Sequence, residues 1–251
     1  MLSSKNVKKS IKWFWHHRGP VPIPWRRSHD CWMLLYPDDQ GIAIMRNEEG
    51  PIRDWAWNYL KPGMQVYDVG AGQGSYTILF AKKGCEVVAF EPVGKEVRRL
   101  KRNLYLNGVR NRVKVVSKAV GREYRSLVEL YVPKGSESRS SLHGAGISRP
   151  VSMISLDKYA DDGKIDLLKI DAEGGELDIL QGAWRIFTKD RPALIVEIAD
   201  EVTRGFGYRG QDLVDRLEEW KYELWEFQTK EEWIKLERKN WYETTVVGLP
   251  R

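Results

Sequence analysis

The stretch VYDVGAGQGSYTILF, residues 66–80, constrains the fold more than any other part of the chain. An apolar run ends in Asp68. Glycines follow at 70, 72 and 74, and a helix-like apolar pattern begins directly after them. A strand that turns this sharply into a helix needs backbone at positive φ, which glycine supplies without steric cost. The turn also aims the helix's first N–H groups at whatever approaches it. In an open α/β sheet such a turn lies at the carboxyl end of a strand, where ligands bind.

From residue 64 onward strand-like and helix-like patterns alternate. Strands are expected at 65–69, 86–90, 113–118, 165–170 and 193–198, and helices at about 74–83, 94–107 and 176–186. That alternation predicts a parallel sheet with helices on both faces. Residues 126–155 interrupt it. SLVELYV and PVSMISL read as strands around the polar PKGSESRSSLHGAGISR, an added hairpin-like element whose residues 133–149 are expected to form a mobile substrate cover. The tail adds a helix near 211–220 and the strands YELWEF and TTVVGL. Two late strands suit a seven-stranded, mostly parallel sheet of the class I methyltransferase type better than a six-stranded dinucleotide sheet. The expected fold is therefore α/β and Rossmann-like, with an N-terminal extension. Three parts are expected: 1–29, a basic amphipathic extension with a Pro-rich connector; 30–63, a hairpin and helix packing on the core; and 64–251, the main domain. Within the second part, CWMLLYPDDQGIAIMRN reads as two short strands around a PDDQG turn.

Charge is informative through its location. Seven of the 41 Lys and Arg lie in residues 1–29, which hold no Asp or Glu; that leaves 34 basic against 35 acidic side chains elsewhere. The net charge of +6 thus belongs to the extension and argues little for a nucleic-acid-binding catalytic domain. Residues 5–18 form a basic amphipathic pattern with three readings: contact with an anionic membrane surface, contact with RNA phosphates, or docking on the protein's own core or a second subunit. Tryptophans on two sides favour the membrane over nucleic acid, and self-docking weighs as much as both. No apolar run approaches the roughly 20 residues of a membrane span. Two cysteines, Cys31 and Cys85, exclude a disulfide framework and a four-cysteine zinc site, so a cytoplasmic protein, peripheral to a membrane at most, is expected.

The dinucleotide fingerprint wants its third glycine one place later than Gly74. A carboxylate at Asp68 would repel a pyrophosphate and favour a cofactor with an ammonium and a sulfonium, as in S-adenosylmethionine. Glu91, ending the next strand, lies where ribose hydroxyls of either cofactor would be.

VYDVGAGQGSYT, AFEP, ISLDKY, IDLLKIDAEGGELDILQGA and RPALIVEI, in that order, resemble the FkbM family of S-adenosylmethionine-dependent methyltransferases. The resemblance runs from about Gly41 to Ile198, and KIDAEGGELDIL is its most specific element. It implies methyl transfer to oxygen, often on a sugar or natural product, so a small-molecule or glycan hydroxyl is the expected acceptor. Carried over by position, Asp68, Gly70, Gly72 and Gly74 would hold the methionine part of the cofactor, Glu91 the ribose, and Ala119 would lie near the adenine. Asp171 and Glu173 would stand beside the transferring methyl.

Asp68, Glu91, Asp171 and Glu197 all fall at carboxyl ends of expected strands. A hydroxyl acceptor needs a base or a metal to become nucleophilic. Asp171 and Glu173 are the candidate bases. His143, the one histidine beyond the N-terminal region, is a third candidate if its loop folds over the site. Asp171 and Glu197 could alternatively share a magnesium ion. The chain has no Pro-Pro, which sets it apart from enzymes that methylate exocyclic base nitrogens, and Cys85 lies at the wrong strand end to be a carbon-5 nucleophile. An RNA 2′-O-methyltransferase and a non-catalytic cofactor-binding module are the competing readings.

Overall fold

The structure is a computed structural model. It describes residues 23–36, 50–133, 140–143, 146–160, 163–227 and 232–251. Strand β1 (Ile23–Arg26) pairs antiparallel with β2 (Trp32–Leu35). Helix α1 (Gly50–Tyr59) leads to β3 (Gln65–Val69), α2 (Ser75–Lys82), β4 (Glu86–Phe90), α3 (Gly94–Leu106) and β5 (Val113–Val116). Strands β6 (Ala119–Val120), β7 (Arg125–Val132) and β8 (Ile147–Ile154) form a small separate sheet, followed by the short α4 (Leu156–Tyr159). Then come β9 (Leu167–Ile170), α5 (Glu176–Gln181), β10 (Ala193–Ala199), α6 (Asp200–Thr203), α7 (Gly210–Glu219), β11 (Tyr222–Phe227), β12 (Trp233–Lys235) and β13 (Glu243–Pro250).

The main sheet has the order β12-β11-β13-β10-β9-β3-β4-β5. The run from β10 to β5 is parallel, and β13 is antiparallel to both β10 and β11. The strand order reverses at β3, and the glycine turn leaves its carboxyl end, at the switch point where open α/β sheets bind ligands. Alternate residues of the central strands feed opposite faces. Val66, Val87, Leu167 and Ile195 join one core cluster with α1, α2, α3 and the β1–β2 hairpin. Tyr67, Leu168, Ile170, Leu194 and Val196 join the other, with α5 and α7. Burial on both faces explains why these strands read as nearly continuous apolar runs.

Two expectations are corrected and one is extended. The sheet has eight strands among the described residues, not seven, because Trp233–Lys235 adds to the β11 edge. Three residues in a polar stretch carry too little periodicity to reveal a strand. Within the 126–155 interruption β7 and β8 pair antiparallel as a hairpin would, and Ala119–Val120 extends them to a three-stranded sheet by pairing in parallel with β8. The Pro-rich connector is a strand at its end. Ile23–Arg26 pairs with Trp32–Leu35 across the expected 29/30 boundary, with Pro24 tolerated because both strands of a two-stranded sheet are edges. Asn103 and Asn107 of α3 and its end hold that hairpin: Leu34 N–H donates to Asn103 Oδ1 (2.9 Å) and Trp32 N–H to Asn107 Oδ1 (2.8 Å). The amphipathic segment 5–18 and the PDDQG turn with its second strand lie outside the described residues. No helix among the described residues is long and apolar enough to cross a membrane.

Candidate functional site

The glycine turn is held from both sides. Gly70 and Ala71 N–H groups both donate to the Phe90 carbonyl, at 3.1 and 3.0 Å. Gly70 has φ +74°, and a Cβ there would sit 1.7 Å from the Asp171 carbonyl oxygen, so the turn closes directly against the signature loop. Gly74 has φ +93°, and its missing Cβ makes room for Leu100 of α3. Gly72 N–H donates to Glu91 Oε2 and Val93 N–H to Glu91 Oε1, each at 2.8 Å. Burial pushes the Glu91 carboxyl up to about 7 against the pull of those two N–H donors. Each oxygen keeps a second lone pair for another donor.

The signature segment 169–176 is organised by two residues that sequence reasoning missed. Lys169, buried in an apolar strand, places Nζ 3.0 Å from Asp171 Oδ2, 3.2 Å from the Gly70 carbonyl and 3.6 Å from Asp68 Oδ1. Glu176 Oε1 accepts from the N–H groups of Ala172 (2.8 Å) and Gly174 (3.3 Å), folding the chain back over the start of α5. Tyr208 O–H donates to the Gly174 carbonyl at 2.8 Å and lies 3.1 Å from Glu176 Oε2. Burial raises the proton affinity of both Glu176 and Tyr208. Glu173 sits in the left-handed region at φ +51°, and Gly174 follows at φ +99° with its missing Cβ facing Phe206. The lone lysine in IDLLKI was a readable signal, because a buried charge needs a partner.

Asp171, Glu173 and Glu197 do come together. The Asp171 charge, then burial and the Glu173 and Glu176 charges, raise Glu197 well above the ordinary carboxyl range. Asp171 is half-buried and pairs with Lys169 Nζ at 3.0 Å. The insertion reaches this corner. Ser141 O–H donates to the Glu173 carbonyl at 2.7 Å, and the His143 ring stands edge-on to Phe206 at 4.4 Å. His143 thus contacts a residue that covers Gly174.

Asp68 lies under the glycine turn at the end of β3. It is fully buried beneath the turn, accepts from Thr77 O–H at 2.5 Å, and meets the charge of Lys169. Ala119 is buried in β6 opposite Met153, on the segment that follows β5. The magnesium reading finds no support: among the described residues no three His, Cys, Asp or Glu side chains are placed to hold a metal ion. Lys169 takes up the Asp171 oxygen that such an ion would need.

Glycine turn, switch point and carboxylate cluster together define an α/β fold of the class I methyltransferase type. The chain belongs to the FkbM methyltransferase family: the methyltransferase FkbM domain matches residues 68–224. It is 27% identical over 153 residues to the methyltransferase sdnD of Sordaria araneosa, a match that spans 47% of this chain and 59% of that protein. Its fold resembles that of an FkbM methyltransferase from Methylobacillus flagellatus (TM-score 0.51, 20% identity, 75% of this chain and 44% of that one). It also resembles an rRNA methylase from Streptococcus thermophilus (TM-score 0.50, 15% identity, 79% and 93%). A Streptococcus mutans chain solved in complex with SAH gives a TM-score of 0.50 at 11% identity, over 80% of this chain and 96% of that one. The chain thus spans about half the length of the first two proteins.

Proposed function

We propose that this chain is an S-adenosylmethionine-dependent methyltransferase that methylates a hydroxyl oxygen of a sugar, glycan or other small molecule. The observation that carries this reading is the Asp171–Glu197 carboxyl pair, fixed at the ends of two neighbouring strands beside the glycine turn. The residues present fit the cofactor. Gln73, almost fully buried inside the turn, has no hydrogen-bond partner for either side-chain amide atom among the described residues. Glu91 keeps lone pairs for the ribose hydroxyls, the Gly70–Gly74 backbone would receive the methionine part, and Ala119 would lie by the adenine. Asp68 serves this site at one remove, by holding Lys169 and the first turn of α2.

When bound, the cofactor supplies an electrophilic methyl group on its sulfonium. The chain's own work is to prepare the acceptor. A hydroxyl is about as weak an acid as water, so its proton must be taken as the oxygen attacks. Asp171 is suited to take it, being half-buried, 3.0 Å from Lys169 Nζ and next to the turn. Glu197, whose proton affinity is raised by the Asp171 charge and by burial, stands beside Asp171. Glu173 stands beside this pair as the second candidate base. Ser141 and His143 bring the insertion to the same corner, which suits a cover that admits a small acceptor.

Asp171→Asn and Glu173→Gln preserve shape and remove charge. Loss of the base is expected to lower turnover by roughly 10²–10⁴-fold while leaving S-adenosylhomocysteine binding intact. Wild-type turnover in both variants would overturn the assignment. The acceptor is sought by incubating the protein with methyl-labelled cofactor and fractionated lysate. Label in a low-mass or glycan fraction supports the reading, and label confined to RNA replaces it with 2′-O-methylation.

A further inference from the structure

Arg53 of α1 is fully buried, yet none of its donors reaches a carboxylate among the described residues. Its Nη1 donates to the Ser75 carbonyl at 2.5 Å and lies 3.1 Å from the Ser75 hydroxyl. Its Nε and Nη2 have no hydrogen-bond partner among the described residues. An arginine cannot escape burial by losing its proton, and an uncompensated buried charge costs several kcal/mol. The nearby Cys31 supplies no anion, since burial raises its thiol pKa and keeps it protonated.

The position of this guanidinium is specific. Ser75 is the first residue of α2, directly after the glycine turn, and the helix has no side-chain cap. Arg27 also donates to the Ser75 hydroxyl. The guanidinium stands 5.5 Å from the Tyr76 ring, and Lys169 Nζ, which holds Asp171, stands 5.5 Å from the same ring. One aromatic ring therefore separates Arg53 from the groups beside the reacting centre. Nε and Nη2 share one edge of the guanidinium plane, the edge that matches the two oxygens of a carboxylate.

We propose that Arg53, supported by Ser75 and Arg27 at the start of α2, seats a carboxylate, and that this is the carboxylate at the amino-acid end of the cofactor. The assignment rests on the S-adenosylmethionine reading above. It accounts for the buried charge: the ligand brings an anion that none of the described residues places on Arg53. An acid group on the acceptor has the same chemistry, and the test separates the two sources.

Calorimetry on the full chain compares S-adenosylhomocysteine with its decarboxylated analogue, which keeps the amine. Wild type is expected to bind the carboxylate form about 10- to 100-fold more tightly, the range of a charge-assisted bidentate contact. Arg53→Gln is expected to erase that difference while leaving the analogue's affinity unchanged. Arg27→Gln, a change at a half-buried residue, is expected to reduce it in part. Equal binding of both ligands by wild type overturns the proposal, as does undiminished discrimination in Arg53→Gln. If Arg53→Gln instead raises only the acceptor's KM, the carboxylate belongs to the acceptor and the cofactor assignment is overturned. Should Arg53→Gln not fold, the wild-type comparison and Arg27→Gln decide. Binding of neither ligand by wild type would refute the cofactor reading itself.

Discussion

Glu91→Gln probes the joint between the glycine turn and the second strand. In the wild-type chain burial raises this carboxyl from 4.5 to about 7, while Gly72 and Val93 N–H groups each donate to it at 2.8 Å. A folded-state pKa above the unfolded value means that the folded protein binds the proton more tightly. The resulting stability is fully present below about pH 4.5 and is lost as pH rises through about 7. Integrating between pH 5 and pH 8.5 gives a loss of about 2.5 kcal/mol from this one group. Glutamine does not titrate, so the variant should lack that component. Urea unfolding of both proteins at the two pH values isolates it, because every other titrating group is common to both and cancels. The expected result is a pH-dependent stability loss about 2.5 kcal/mol larger in wild type than in Glu91→Gln. Equal pH dependence in the two proteins, within about 0.5 kcal/mol, would refute the claim that burial governs this carboxyl.

Gly70→Ala should destabilise by more than about 4 kcal/mol, because it adds left-handed strain to a Cβ placed 1.7 Å from the Asp171 carbonyl oxygen. Gly108→Ala, at φ +67° with nothing within 4 Å, should cost only about 1–2 kcal/mol; equal losses in urea unfolding would refute the steric argument. Lys169→Met should cost roughly 3–5 kcal/mol by leaving Asp68 buried without its counter-charge, and adding Asp68→Asn should recover much of that. Additive losses in the double variant would show that the two charges do not compensate each other. Turnover, once an acceptor is in hand, should be indifferent to chelator treatment, since Lys169 and not a metal balances Asp171; loss restored by magnesium would contradict this.

The parts of the fold legible in the sequence were those with a local period. Strands buried on both faces announce themselves as apolar runs, and the glycines at 70, 72 and 74 mark the turn because positive φ at all three positions demands them. Glu91, Asp171 and Glu197 were legible as strand-end carboxylates for the same reason: the end of an apolar run locates them. The sequence alone also carried the KIDAEGGELDIL segment by which the family is recognised. What it left undecided are the partners of each charge, because those lie far along the chain. Lys169 reaches the Gly70 carbonyl 99 positions away, Ser141 holds the Glu173 carbonyl across 32, and Tyr208 meets Glu176 across 32. Asp68 shows the consequence. Its position at a strand end was legible, but the lysine that meets its buried carboxylate was not, since no local pattern ties the two together. Arg53 shows the converse. Nothing in its local sequence marks it out, and only the packing of α1 against α2 buries it against the start of α2, because electrostatic pairing depends on distance in space and not on distance in sequence.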